Sequence, residues 1–276
     1  MPAKPSHLSN PWNNAVAFLS MLYGNERLGS GTSFFWGFDG RTFLVTNWHN
    51  FAGRNPLTGE PMLKTGLFPD RCTFMAYKRV SEPDVEGFVE LRWEPVEIQI
   101  CDADLSNPRW LEHPTFGRRV DIAAIDVTKD VQGFQIDHAN TLESDALLDA
   151  SASQDVFVLG FPFGLIANAP APLWKRGSIA LDPTLDPDGL PKMLVDTATR
   201  EGMSGSVVLA RHIVVGRAYL KKDGTKSPPV LYTRLDLVVG IYSGRHYPDF
   251  DKAQLGVVWK RRAIEETVAG KRFASA

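Results

Sequence analysis

The sequence predicts an all-β chain folded as two barrels, and three observations carry that expectation. Short runs of β-branched and aromatic residues recur along most of the 276-residue chain, separated by turns rich in Gly and Pro. A polar, mixed stretch at 129–150 divides these runs into two groups. The length also suffices for two small β-units, each with its own core. Short strands joined by tight turns fit antiparallel barrels better than a parallel sheet, which needs long crossover segments.

Taken in order, residues 14–22 follow a polar lead-in and read as a short helix. Strands are expected at 31–38, 43–46, 71–77, 89–93, 96–101 and 122–127, and residues 54–61 carry the Pro and Gly punctuation of a loop. In the second group, strands are expected at 156–160, 175–181, 193–196, 206–209, 230–232, 237–242 and 255–259. The tail from 261 to 271 has helical composition. This gives a first barrel over 15–130, a bridge over 131–150, a second barrel over 151–262 and a helical tail over 263–276.

The bulk composition argues mainly by exclusion. A net charge of −2 with no Lys/Arg stripe gives no electrostatic basis for nucleic-acid binding. No apolar run approaches the length of a membrane span. The first 30 residues lack a charged start, an apolar core and a small-residue cleavage site, so a cytoplasmic location is expected. The two cysteines, Cys72 and Cys101, are read as free thiols, with a single bridge between them as the alternative. The acids of 182–189 lack the spacing and distal Glu of a calcium loop and read as a turn, so no metal and no cofactor is expected.

Chemistry concentrates in Arg200-Glu201-Gly202-Met203-Ser204-Gly205-Ser206. Glycines two before and one after Ser204 let the backbone turn sharply and aim the amides of Gly202 and Ser204 at one point beside the hydroxyl. Two such amides form an oxyanion hole. A serine hydroxyl needs a base, and His49 ends the strand-like run Phe43-Leu44-Val45-Thr46-Asn47-Trp48-His49. The base needs an orienting carboxylate, and Asp121 opens the apolar run Asp121-Ile122-Ala123-Ala124-Ile125. Asp126 sits at odd spacing from Asp121, which points it to the opposite face of the strand.

In these segments the chain resembles the trypsin-like serine peptidases of the chymotrypsin fold. Thr46-Asn47-Trp48-His49, Asp121-Ile122-Ala123-Ala124-Ile125 and Gly202-Met203-Ser204-Gly205-Ser206 are similar to that family's His, Asp and Ser segments, in its order along the chain. Gly29-Ser30-Gly31-Thr32-Ser33-Phe34-Phe35, Gly160-Phe161-Pro162, Val239-Gly240-Ile241-Tyr242-Ser243-Gly244-Arg245 and Gly256-Val257-Val258-Trp259 extend the likeness over roughly residues 15 to 262. It points to the bacterial branch, with no PDZ-like segment following the peptidase region.

The resemblance implies two six-stranded antiparallel β-barrels with a short C-terminal helix. It also implies a catalytic set of His49, Asp121 and Ser204, an oxyanion hole from Gly202 and Ser204, and support of Asp121 by Ser243. Substrate contacts would fall on Ala198, Thr199, Ser243, Gly244, Arg245 and Gly256. Ala198 stands where the family floors its specificity pocket, so Lys or Arg should not be selected strongly. Met203 replaces the acid that pairs with a liberated N-terminus in animal enzymes, so activation by a liberated N-terminus is not expected in this chain. Activity is then either constitutive or dependent on a partner or ligand that orders the oxyanion loop. The implied function is a serine endopeptidase acting on protein or peptide substrates. The alternatives are a catalytically silent peptide-binding scaffold and an esterase using the same nucleophile.

Overall fold

The computed structural model describes residues 10–82, 89–102, 107–164, 171–198, 200–244 and 254–275. A single turn of helix, α1 (Trp12–Ala15), leads directly into strand β1 (Val16–Tyr23). Residues 14–22 are therefore mostly strand, not helix. Ala17, Leu19 and Met21 enter one core cluster while Val16 and Phe18 enter another. A strand apolar on both faces shows no alternation, and by period alone it resembles a buried helix.

The first unit continues with β2 (Glu26–Phe38), β3 (Arg41–Thr46), the one-turn helix α2 (Trp48–Ala52), β4 (Arg71–Arg79) and β5 (Leu91–Gln99). Three short strands complete it: β6 (Leu111–Glu112), β7 (Ala123–Asp126) and β8 (Phe134–Gln135). They form one eight-stranded sheet in the order β5-β4-β1-β2-β3-β7-β6, with β8 pairing β4. The strand count thus exceeds six through two-residue pieces, one of which comes from the 131–150 bridge. β5 runs unbroken through Pro95, which a strand at the edge of the sheet tolerates because one row of its amides has no ladder to join.

The second unit is a closed six-stranded antiparallel barrel. Its strands are β9 (Asp155–Gly160), β10 (Leu173–Ile179), β11 (Lys192–Asp196), β12 (Val207–Arg217), β13 (Val230–Gly244) and β14 (Leu255–Lys260). Around the barrel they run β10-β11-β14-β13-β12-β9, and closure leaves no sheet edge. The runs 230–232 and 237–242 are one strand, paired with β12 from Val230 to Ile241. Helix α3 (Arg261–Gly270) follows β14 and buries Ala263, Ile264, Thr267 and Val268.

The two units share a core. Phe18, Phe34 and Val45 from the first pack in one cluster with Leu159, Phe161, Val207 and Ile241 from the second. Phe18 and Phe161 meet edge to face, with centroids 5.6 Å apart, a geometry that adds to what burial alone contributes. Glu143, buried in the bridge, is held by Arg261 of α3 and accepts from the Val238 amide of β13. Cys72 is buried and Cys101 half-buried, and both are free thiols. Among the described residues no helix is long and apolar enough to cross a membrane.

Candidate active site

The site forms where the ends of β3, β7, β12 and β13 converge. β3 stops at Thr46, Asn47 stays extended, and α2 makes one turn before Gly53 ends it in the left-handed region at φ 62°. That turn puts Trp48 and Phe51 into the core of the first unit and leaves His49 on the side facing the second. Asn47 Nδ2 donates to the Asp121 carbonyl at 2.8 Å, so the segments before His49 and β7 are tied together beside the side chains they present.

Asp121 is fully buried. Its Oδ1 accepts from the His49 backbone amide at 2.9 Å, and its Oδ2 lies 2.7 Å from His49 Nδ1. Ser243 Oγ, at the end of β13 in the other unit, also donates to Oδ2. A carboxylate removed from water needs such donors to stay ionised, and here they come from both units. A carboxylate facing Nδ1 assigns the proton to that nitrogen and leaves Nε2 as the basic atom of a neutral ring. Asp126, by contrast, faces solvent and pairs with Arg41 and Thr128.

The loop before β12 is shaped by two glycines, Gly202 at φ 88° and Gly205 at φ 89°. At Gly205 a Cβ would lie 1.9 Å from the Thr32 carbonyl oxygen, so only glycine fits there. Met203 points into the barrel core, fully buried, which turns the neighbouring Ser204 outward. Nearly every carbonyl of the loop is engaged. Arg200 O accepts from Met203 N, Glu201 O from Phe163 N at 2.6 Å, Gly202 O from Thr32 Oγ1 at 2.8 Å, and Ser204 O from Thr32 N at 2.8 Å.

The amides of Gly202 and Ser204 behave differently: neither donates to any group among the described residues. Because the peptide unit is planar and trans, fixing the Glu201 carbonyl on Phe163 N turns the Gly202 N–H the opposite way. Ser206 is fully buried, with its hydroxyl crowded against Gly160.

His49, Gly202 and Ser204 line one cleft of about 510 Å³, together with Met21, Met62 and Phe163. Phe163 is 61% and Met62 56% exposed, so the cleft has an apolar rim beside its polar groups. Ala198, Ser243, Gly244 and Gly256 do not line this cleft. Gly244 reaches its edge, where a Cβ would lie 3.6 Å from Ser204 Oγ. Gly256 is covered by the buried ring of Tyr242, whose Cε2 would stand 2.4 Å from a Cβ there. The space beside Gly256, expected as a substrate contact, is therefore taken by a tyrosine. Thr199 and Arg245 lie outside the described residues.

Several positioning residues carry no signal of their own in the sequence. Thr32 holds the Ser204 loop through two bonds, and its hydroxyl also accepts from Phe161 N at 3.1 Å. Asn50 Nδ2 donates to Thr46 Oγ1 at 2.8 Å and reaches Ser204 O at 3.5 Å. Only their neighbourhood hinted at them, Thr32 in a run of small residues and Asn50 next to His49. Among the described residues no cluster of His, Cys, Asp and Glu could hold a metal ion. In the acidic turn, Asp186 pairs with Lys260 and Arg262, and Asp188 with Lys192.

No protein family model matches the chain, and no curated protein matches it. Among solved structures it is similar to the active form of the Rv3671c protease from M. tuberculosis, at 17% identity and a TM-score of 0.49, over 94% of this chain and 81% of that one. The inactive form of the same protease gives 16% identity and a TM-score of 0.46, over 94% and 89%. A serine endoprotease from Yersinia pestis gives 11% and 0.44, over 94% of this chain and 63% of that one.

Proposed function

We propose that the chain is a serine endopeptidase that hydrolyses peptide bonds through an acyl-enzyme on Ser204. The observation that carries this is the buried Asp121 bound to both the backbone and the ring of His49, with His49 and Ser204 on one cleft. Ser204 Oγ attacks the substrate carbonyl as His49 Nε2 takes its proton. The oxyanion that forms accepts from the amides of Gly202 and Ser204. His49 then gives the proton to the leaving nitrogen as the C–N bond breaks. Water, deprotonated by the same imidazole, attacks the ester, and release of the acid restores Ser204.

Asp121 orients the ring and stabilises its cationic form, and Ser243 keeps Asp121 ionised. The two amides, which donate to no group among the described residues, support an oxyanion site that needs no rearrangement, and so a constitutively competent enzyme. The exposed rim of Met62 and Phe163 supports a substrate with an apolar side chain next to the scissile bond. The filled space over Gly256 supports weak selection on the acyl side of a protein or peptide substrate.

A fluorophosphonate probe tests the proposal. Labelling located by mass spectrometry at Ser204, and abolished in Ser204→Ala, is the expected result. A folded chain that is not labelled, or that is labelled elsewhere, would overturn it. Labelled protein that turns over small esters but no peptide in a peptide library would be an esterase instead.

A further inference from the structure

Behind the helix that carries His49 lies a second cleft, of about 820 Å³, which the chemistry at Ser204 does not use. Its walls come from α2, the loop that follows it, the β6 region and the 3₁₀ turn Gly117–Arg119. That size falls within the ~300–1,000 Å³ range of small-molecule sites.

Its charge is one-sided. Among the described residues, Arg54, Arg118, Arg119 and Arg272 line it, against the one carboxylate of Glu112. Glu112 is buried and already engaged, accepting from Trp48 Nε1 at 3.2 Å and pairing with Arg272 at 3.1 Å. No carboxylate among the described residues pairs with Arg54, Arg118 or Arg119.

Two of these guanidinium groups are also drawn to the same point. Arg54 Nη1 donates to the Gly59 carbonyl at 3.2 Å, and Arg118 Nη1 would stand 2.2 Å from a Cβ at Gly59. Gly59 has φ 81° and no side chain, which is what lets Arg118 lie across that loop. Arg54 is further seated 4.0 Å over the ring of Phe68, so its fork is held before any ligand arrives. Like charges gathered on a concave wall repel one another and focus a positive field into the cleft. A multiply charged anion reverses the sign of that interaction, and the planar guanidinium matches phosphate oxygens in pairs.

We infer that this cleft binds a small molecule bearing a di- or triphosphate, as a nucleoside triphosphate does, with the phosphates held by Arg54, Arg118 and Arg119. Arg272 stays on Glu112 and shields that carboxylate from the ligand. The phosphates are the recognised group, and the aromatic wall of Trp48, Trp110 and Phe116 adjoins the rest of the molecule. Binding here is independent of any activity at Ser204.

Isothermal titration of the full chain with magnesium-free ATP, tripolyphosphate and adenosine tests the inference. Saturable one-to-one binding of ATP and tripolyphosphate is expected, weakening as salt is raised, with none for adenosine. Losing charge-assisted bonds in Arg54→Gln/Arg118→Gln should weaken ATP binding by more than about tenfold. The single exposed change Arg118→Glu should do the same, and Arg234→Gln on the second barrel should have no effect. Matching thermal midpoints would show that the variants are folded. Three results would overturn the inference: no saturable binding of either polyphosphate, affinities unmoved by the Arg54 and Arg118 changes, or adenosine binding as tightly as ATP.

Discussion

Replacing Asp121 with Asn exchanges one carboxylate oxygen for an NH₂ group and reverses the hydrogen-bond logic of the site. Asp121 accepts from the His49 amide at 2.9 Å, from His49 Nδ1 at 2.7 Å and from the Ser243 hydroxyl. An asparagine brings one acceptor and one NH₂ group. The His49 amide cannot rotate away, so the remaining oxygen must face it and the NH₂ must face Nδ1. Nδ1 then has to accept, the ring proton moves to Nε2, and the imidazole can no longer take the proton of Ser204. Ser243 can turn to accept instead, so its bond survives without the charge. The loss to stability is at most that of two charge-assisted bonds at a buried site, roughly 3–6 kcal/mol. The loss to reactivity is larger, on the order of 10⁴-fold for a base held in the wrong tautomer. The assay is the pseudo-first-order rate of fluorophosphonate labelling at Ser204, beside a denaturant unfolding curve for the same sample. A variant that labels at the parent rate would refute the assignment of Asp121 as the group that sets the His49 tautomer. A variant unfolded at 25 °C would transfer the test to Ser243→Ala, which removes one donor and should slow labelling while leaving the fold intact.

Two further outcomes follow from the same geometry. Gly202→Ala places a methyl 2.4 Å from the Phe161 carbonyl at a φ of 88°, so the loop must shift and labelling at Ser204 should fall at least ~100-fold, as loss of an oxyanion donor does; a rate within threefold of the parent would count against that amide. His138 is held below its ordinary value of 6.5, chiefly by burial, with Asp137 opposing. Its folded form takes up a proton later than the unfolded chain, so its share of stability is present above the ordinary value and is lost as pH falls through the lowered one. Urea unfolding at several pH values between about 7.5 and 5 should therefore decline less steeply in His138→Gln than in the parent, and equal slopes would refute the attribution.

How much of this was legible in the sequence differs between chemistry and packing. The residue types at His49, Asp121 and Ser204 are restricted by what acyl transfer requires, so short local patterns around each sufficed to nominate them. Strands with turn punctuation were also visible, because Gly and Pro mark their ends. The helix expected over 14–22 was an error of period: Val16–Tyr23 lies between β2 and β4 with apolar side chains on both faces, and no alternation survives. The tyrosine ring over Gly256 was equally invisible, since Tyr242 and Gly256 meet only through the register of two neighbouring strands of the barrel, which no local pattern states. Thr32 shows the same limit. It lies about 170 residues from the loop it holds, and nothing local marks a threonine as a clamp.

That clamp bears on why the site straddles two units. Asp121 and His49 belong to the first, Ser204 and Ser243 to the second, and the contacts between them are polar and directional. Thr32 binds the carbonyls of Gly202 and Ser204, Ser243 binds Asp121, and Asn50 reaches Ser204. Around them the shared core of Phe18, Phe34, Phe161 and Val207 supplies non-directional adhesion that could tolerate small sliding. The polar set does not tolerate it, because displacing Thr32 would leave buried carbonyls without donors at a cost of about 1–3 kcal/mol each. The hydrophobic interface therefore accounts for the two units staying together, and the hydrogen bonds fix the position of Ser204 against His49. Thr32→Val, which keeps shape and removes the hydroxyl, separates the two roles: the units should remain docked while the Gly202 carbonyl loses its donor and the Ser204 loop its fixed position.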